Sequence, residues 1–219
     1  PVNSGNTTFF KNVLGSGTKV VIQQGSPGGD STFIAAENAI AALYAGLPGV
    51  TETSITVSPT LADLTGANLF VSAIPGSAYT AADIAALGSF LSGGGTAFFL
   101  GDYSGVSSQD AIITAAVAAL GASIATVPRG TDALFCTATG GQIASNPLTT
   151  GVNSFEYAYF SGVTGGTDLF FGSNAAPFIA FQSVGALAPS GVPEPLTMSI
   201  FGAGLVGAVA MRRRGAKKA

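Results

Sequence analysis

The chain has 219 residues, of which 9% are charged, and it contains no histidine and one cysteine. An average soluble domain has about 25% charged residues, so this neutral, hydroxyl-rich composition favours an exported protein. The lack of histidine removes the usual general base, the commonest zinc ligand and the imidazole of any Ser or Cys triad. A single cysteine excludes an internal disulfide.

The net charge of −3 conceals an asymmetry between the body of the chain and its tail. Five of the eight basic residues lie between Arg212 and Lys218, whereas ten of the eleven acidic residues precede Gly191. With three basic and ten acidic residues, the body before Gly191 carries a net charge of −7. Because nucleic-acid binding needs clustered cations to neutralise phosphates, we expect no nucleic-acid partner.

The first part of the chain, 1–18, is rich in Gly, Asn and Thr, and we interpret it as an irregular lead-in. Pro1 is not an initiator methionine, so we expect a leader peptide to precede it. From residue 19 onward, short β-rich runs alternate with Ala-rich helical runs. Strands are predicted at 19–24, 50–57, 68–74, 96–100 and 123–127, and helices at about 31–45, 80–92 and 107–120.

After Arg129 the pattern changes, because three strand-like runs follow one another without a helix between them. These runs, 155–163, 168–172 and 178–184, are interpreted as an antiparallel extension of the same sheet, and most of their aromatic residues are expected in the core. Alternating strands and helices predict a parallel sheet with helices on both faces. The predicted fold class for 19–185 is therefore α/β, a flavodoxin-like doubly wound and mostly parallel sheet with a late antiparallel extension.

Ligands of open α/β sheets bind at the loops that follow the carboxyl ends of strands. Three loops qualify here, namely 25–30, 75–79 and 101–105. Their candidate ligand-binding residues are Ser26, Asp30, Ser77, Asp102, Tyr103 and Ser104. The first loop lacks both the GxGxxG spacing and the Walker lysine, and its acidic residue would repel phosphate, so a simple turn is favoured over an anion site.

Two of these acidic residues, Asp30 and Asp102, follow strands at the same edge of the predicted sheet. They could act as the paired carboxylates of a hydrolase, or bind a divalent cation together with Ser26 or Ser104. We favour solvated turn residues and helix caps. The sequence therefore predicts no catalytic residue, no metal site and no cofactor in the body.

Several segments of the body have a family resemblance. The run 74–77, the run 83–95, the run 98–102 and the loop 146–152 resemble the class I glutamine amidotransferase-like superfamily, especially divergent members without a catalytic triad. Active members carry a nucleophilic Cys on the tight turn after a strand and a His further along. Here that turn reads Asp102-Tyr103-Ser104 and no His is present, so the amidotransferase activity is not implied. We interpret Cys136 as a small buried residue.

The tail combines a Pro/Gly/Ser linker, an apolar run and a basic end. The linker spans 186–195 and ends in Val192, Pro193, Glu194 and Pro195. The run 196–211 has no charge and would extend about 24 Å as a helix, against a hydrocarbon core of about 30 Å. Its basic stop consists of Arg212, Arg213 and Arg214, followed by Lys217 and Lys218. The pattern predicts a transmembrane helix and basic stop over 196–219, with the body on the side opposite the cytoplasm. The alternative is a buried C-terminal helix.

This order of features resembles the PEP-CTERM sorting signal of exported proteins in Gram-negative bacteria. The resemblance implies processing by an exosortase, a membrane protease-transpeptidase that would be a partner of this chain. It also implies tethering to the inner membrane before processing, and then residence in the cell envelope or outside the cell.

From these features we predict an exported, exosortase-processed protein of the envelope or extracellular matrix. Its α/β domain is expected to be non-catalytic and to take part in surface or biofilm assembly, associated with exopolysaccharide. One alternative is an envelope hydrolase that uses Asp102 or Ser104 with Asp30. The other is a glycan-binding or calcium-binding module on the same loops.

Overall fold

The computed structural model describes residues 4–25, 31–102, 107–127, 132 and 135–185, with only the backbone of 31–33. The chain divides into one unit spanning 1–186 and a second spanning 187–219, and the second lies outside the described residues.

The described elements alternate between helices and strands in the first part of the chain and are mostly strands in the second. In chain order they are α1 (Ser4–Leu14), β1 (Lys19–Gln23), α2 (Ser31–Ala45), β2 (Thr51–Ile55), α3 (Leu61–Leu64), β3 (Leu69–Ala73), α4 (Ala81–Ser92), β4 (Thr96–Leu100), α5 (Ser107–Ala119), β5 (Ala125–Val127), β6 (Cys136–Thr139), β7 (Ser154–Tyr157), β8 (Gly162–Thr164), β9 (Thr167–Phe171) and β10 (Pro177–Phe181). Two short 3-10 turns, Gly140–Gln142 and Pro147–Thr149, lie between β6 and β7.

The first four strands form a parallel sheet in the order β2-β1-β3-β4. The central strands β1 and β3 are buried along almost their whole length, because a parallel sheet is covered on both faces. Val20 and Ile22 of β1, with Leu69 and Val71 of β3, belong to the main core beside buried residues of α1 and α2. Successive residues of a strand point to opposite faces, so Gln23 and Ser72 lie on the other face of the sheet.

The amino-terminal segment differs from the expected irregular lead-in, because it contains helix α1. Its buried residues include Phe9, Phe10, Val13 and Leu14, and this spacing places them on one face of the helix. Phe9 is 1% exposed. Polar Asn and Thr residues interrupt the apolar pattern of this helix and obscure its period in the sequence.

Aromatic contacts attach α1 to both parts of the fold. The ring of Phe9 lies 6.2 Å from that of Phe98 in the parallel sheet, and 5.4 and 5.0 Å from those of Phe155 and Phe170, measured between centroids. Edge-to-face pairs of this kind add about 0.5–1.5 kcal/mol each beyond area burial. Helix α1 therefore joins the parallel sheet to the later strands.

The predicted fold class is wrong in how it places the late strands. These strands form three separate antiparallel pairs, β5 with β8, β6 with β7 and β9 with β10, and do not extend the parallel sheet. One reason is that β7 lies against α1, where Asn6 donates to the backbone oxygen of Glu156 and accepts from its N–H, both at 2.8 Å. The aromatic side chains of this region pack onto that helix.

The predicted fold class also included a transmembrane helix, and the described residues contain no such element. Among the described residues, no helix has both the length and the apolar character needed to cross a membrane. The predicted segment, 196–219, lies outside the described residues. The described chain is a mixed α/β fold with one four-stranded parallel sheet and three small antiparallel sheets.

Candidate ligand-binding cleft

A cleft of about 280 Å³ opens at the carboxyl ends of β1, β2 and β3. Strand β1 lies between β2 and β3, so the strand order reverses direction at the β1/β3 boundary. Open α/β sheets bind ligands at such a switch point. The residues that line the cleft are Gln23, Gly25, Thr56, Val57, Ser58, Ala73, Pro75, Gly76 and Ser77.

A hydrogen-bonded trio of side chains stands at the sheet edge of this cleft. Gln23 and Ser72 are partners in the parallel register of β1 and β3. The Tyr79 hydroxyl donates to Oε1 of Gln23 at 2.6 Å and lies 2.7 Å from Oγ of Ser72. A phenol has one proton, so in the second bond Ser72 is the donor. The trio fixes the orientation of the Gln23 amide.

Tyr79 is positioned by the start of the following helix. Thr80 is the N-cap of α4, and it forms a reciprocal capping box with Asp83. The Tyr79 ring packs edge-on against Phe99 at 6.0 Å. Burial raises the pKa of Tyr79 to about 12; the Ser72 hydrogen bond opposes this rise and the Asp83 charge adds to it. The phenol is therefore neutral and remains a hydrogen-bond donor at ordinary pH.

The turn after β3 has a strained backbone. Ile74 has φ of 46°, in the left-handed region where a β-branched residue is an outlier. Its N–H donates to the oxygen of Leu100 at 2.8 Å, and its side chain is buried. Strain of this kind persists only where the surroundings hold it, and it is concentrated at functional sites. Here it directs Pro75, Gly76 and Ser77 into the wall of the cleft.

A buried acid supports the opposite side of the cleft. Glu37 on α2 is 3% exposed, and its Oε1 accepts from the N–H of Gly25 at 3.3 Å. Gly25 lines the cleft with φ of 150°. The hydrogen bond from the Gly25 N–H to Glu37 holds the backbone just after the end of β1. Nothing in the sequence marks this residue, because a Glu inside an Ala-rich helix resembles an ordinary solvated side chain.

The structure locates only part of the predicted site. Ser77 lines the cleft and is exposed. Asp102 is half-buried after β4 and is not among the lining residues. The other four candidates lie outside the described residues, as does the sorting motif with its basic stop: Ser26, Asp30, Tyr103, Ser104, Val192, Pro193, Glu194, Pro195, Arg212, Arg213 and Arg214. The pairing of Asp30 with Asp102 therefore stays a prediction.

Asp102 belongs to a buried junction between β4, α5 and the segment before β8. Its N–H donates to Oδ1 of Asp110 at 3.2 Å, and its oxygen accepts from the N–H of Ser161 at 2.9 Å. Asp110 is 4% exposed. Gly101 is required beside it, because a Cβ there would lie 2.5 Å from the same Oδ1. Burial raises the pKa of Asp110, and the neighbouring Ser161 side chain and the bond from the Asp102 N–H oppose that rise.

A second carboxylate, that of Asp132, accepts hydrogen bonds from the region of the late strands. It accepts from the N–H of Ser173 at 2.7 Å, from the Ser173 hydroxyl, and from the Tyr157 hydroxyl at 2.5 Å. Burial raises the pKa of Asp132, but these hydrogen bonds outweigh burial and hold the pKa below its usual value. Burial and then the neighbouring Asp132 raise the pKa of Tyr157. Cys136, the register partner of Tyr157, is half-buried, whereas the sequence predicted a buried residue.

In the described part of the chain, no group of three or more His, Cys, Asp or Glu side chains is placed to hold a metal ion.

No family model matches the chain, and no curated protein matches it. One similar solved structure is described as "mmIFT52 N-terminal domain". It shares 16% identity, covers 59% of this chain and 69% of its own, and superimposes with a TM-score of 0.47.

Proposed function

We propose that the chain is an exported protein of the cell envelope or extracellular matrix whose tail is a sorting signal processed by an exosortase. The observation that carries this proposal is the order of features in the tail. Pro193, Glu194 and Pro195 precede 16 uncharged residues, and a tribasic cluster follows them. A processing site, an apolar segment and a basic end form an address that is read by partner proteins.

The composition of the body supports the same destination. Few residues are charged, and Gly, Ala, Ser and Thr take their place. Once the basic tail is set apart, the body has a net charge of −7. An acidic, hydroxyl-rich body suits a protein that remains soluble outside the cytoplasm and does not attach to nucleic acid.

A non-catalytic body is the proposal that best fits the cleft. The described residues that line it carry side chains without an ionisable group. General acid–base catalysis needs a titratable group within hydrogen-bond reach of the substrate. An uncharged cleft supports binding, and we propose that the domain contributes to surface or biofilm assembly through a bound ligand, with exopolysaccharide as the associated material.

The test is the carboxyl terminus of the mature protein. The full gene is expressed in a Gram-negative host that has an exosortase, and in the same host with the exosortase gene deleted. Intact-mass spectrometry is expected to show loss of the residues after the Pro193 to Pro195 motif only in the first host. A mature protein that retains the residues after Pro195 in the first host contradicts the proposal.

Two variants locate the recognition element. Glu194→Gln keeps the size of the side chain and removes its charge, and combined Pro193→Ala and Pro195→Ala changes remove the fixed φ angle that a proline ring imposes. We expect processing to fall in both variants. Lys217→Ala is the matched control, because it changes a charge beyond the tribasic cluster and is expected to leave processing intact.

A further inference from the structure

The cleft presents hydrogen-bond donors without a positive charge. Gln23 lines it and is 8% exposed. The Gln23 Oε1 is held by Tyr79, and among the described residues no hydrogen-bond partner is found for its Nε2. The Nε2 keeps accessible surface, since Ser161 Oγ is the fully buried side-chain atom without a partner in the described residues, and the two Nε2 N–H groups can donate to an acceptor in the cleft. A ligand oxygen in the cleft would supply this acceptor.

The other lining groups match the same kind of ligand. Thr56, Ser58 and Ser77 contribute hydroxyls, which both donate and accept hydrogen bonds. Val57 is 67% exposed and Pro75 also lines the wall, so apolar surface is available beside the hydroxyls. Mixed apolar surface with a few convergent polar groups is typical of sites for small neutral molecules.

Charge argues against an anionic ligand. No described lining side chain is cationic, and on the β1 side the side chain of Glu37 accepts from the N–H of Gly25. The body as a whole is acidic. A phosphate or carboxylate would be repelled by this field. The volume of about 280 Å³ lies just below the usual range for ligand pockets, roughly 300–1,000 Å³, so the ligand is small.

We propose that the cleft binds the end of a neutral saccharide, one or two sugar rings long, with the Gln23 amide as the central donor. This inference deepens the proposed function and rests on it for the source of the sugar, which would be a surface polysaccharide. Tyr79 and Ser72 are positioning residues, because they act through Gln23. Ser77, Thr56 and Ser58 contact the sugar hydroxyls.

The experiment uses the full chain in a mild detergent and ligand-detected saturation-transfer NMR, since the chain has no tryptophan for fluorescence. The probes are three neutral disaccharides (cellobiose, maltose and N,N′-diacetylchitobiose) and one acidic disaccharide that contains glucuronate. We expect saturable transfer to at least one neutral probe and none to the acidic one. Transfer to no neutral probe, or only to the acidic one, overturns the proposal.

Variants then assign the binding to this cleft. Gln23→Glu replaces the NH2 group, which carries both N–H donors, with an acceptor oxygen in a side chain of the same shape. We expect at least a tenfold loss of affinity. Gln109→Glu is the matched control, because it makes the same change on α5 away from the lining residues. Equal loss in both variants overturns the proposal.

Two further variants guard against misfolding. If Gln23→Glu does not fold, Tyr79→Phe tests the positioning of the amide, and Ser77→Ala tests an exposed contact residue. We expect both to weaken binding several-fold, and unchanged affinity in both overturns the proposal. Binding without tail processing would contradict the sorting proposal alone, and processing without binding would contradict the saccharide site alone, so the two failures are distinguishable.

Discussion

Gln23 and Ser72 are register partners on adjacent parallel strands, and both bind the same Tyr79 hydroxyl. Gln23 and Tyr79 lie 56 positions apart in the chain. The bond between them links the end of β1 to the segment that enters α4. It joins two loops that border the cleft, so the position of the cleft wall depends on one phenol.

Removal of that phenol is expected to lower stability. Tyr79→Phe leaves Gln23 and Ser72 without a shared partner, and the expected cost is about 1–3 kcal/mol in the free energy of unfolding. Urea denaturation of both proteins measures it. Ser77→Ala is the control, because it removes an exposed hydroxyl and is expected to stay within about 0.5 kcal/mol. A loss no larger than that of the control would falsify the structural role of the trio.

Truncation of Phe9 tests whether α1 is part of the core. Phe9→Ala is expected to cost about 3–5 kcal/mol, because the ring is buried and contacts the rings of Phe98, Phe155 and Phe170. Phe181→Ala makes the same chemical change on an exposed side chain and is expected to cost much less. If the two variants have equal midpoints of denaturation, α1 does not pack as described.

Asp110 is expected to make the protein less stable as pH rises. Its pKa in the folded state is raised above the ordinary value of 3.8, so folding favours the protonated carboxyl. Its contribution is fully present below pH 3.8 and is lost as pH rises through the folded pKa. Asp110→Asn, which stays neutral, is expected to flatten this part of the curve when the free energy of unfolding is measured from pH 3 upward. A slope that is identical in wild type and variant contradicts this assignment.

Asp132 is expected to act in the opposite direction. Its pKa in the folded state lies below 3.8, so folding favours the charged carboxylate. Its contribution is present above pH 3.8 and is lost as pH falls through the folded pKa. Asp132→Asn is expected to weaken the acid-side loss of stability, as measured by thermal denaturation between pH 2 and pH 5. Unchanged acid sensitivity would show that the bonds from Ser173 and Tyr157 do not favour the ionised form.

The strands of the parallel sheet were largely predictable from local pattern. The run predicted at 19–24 is β1, and those at 68–74 and 96–100 contain β3 and β4. Apolar runs bounded by Gly and Pro are strong strand signals. Strand β6 was missed, because Cys136–Thr139 has only four residues, too few for its alternation to stand out, and its pairing with β7 makes it a strand.

The candidate site was less predictable than the strands. Loop chemistry selected Ser77, which lines the cleft, and also Asp102, which bonds to the Asp110 junction. Neither Gln23 nor Glu37 was selected. Gln at a strand end and Glu in a helix are ordinary in sequence, and their importance arises from nearly complete burial at the sheet edge.

The sequence by itself determined the chemical limits of this protein: no imidazole, no disulfide, an acidic body and an apolar tail with a basic end. These are properties of residue type and order, so they need no tertiary structure. The partners of each strand depended on tertiary structure, because the late aromatic strands pack against α1 and do not extend the parallel sheet. The cleft also depends on tertiary structure, since the Gln23 amide, the Tyr79 phenol and the Ser72 hydroxyl meet only when β1, β3 and the start of α4 come together.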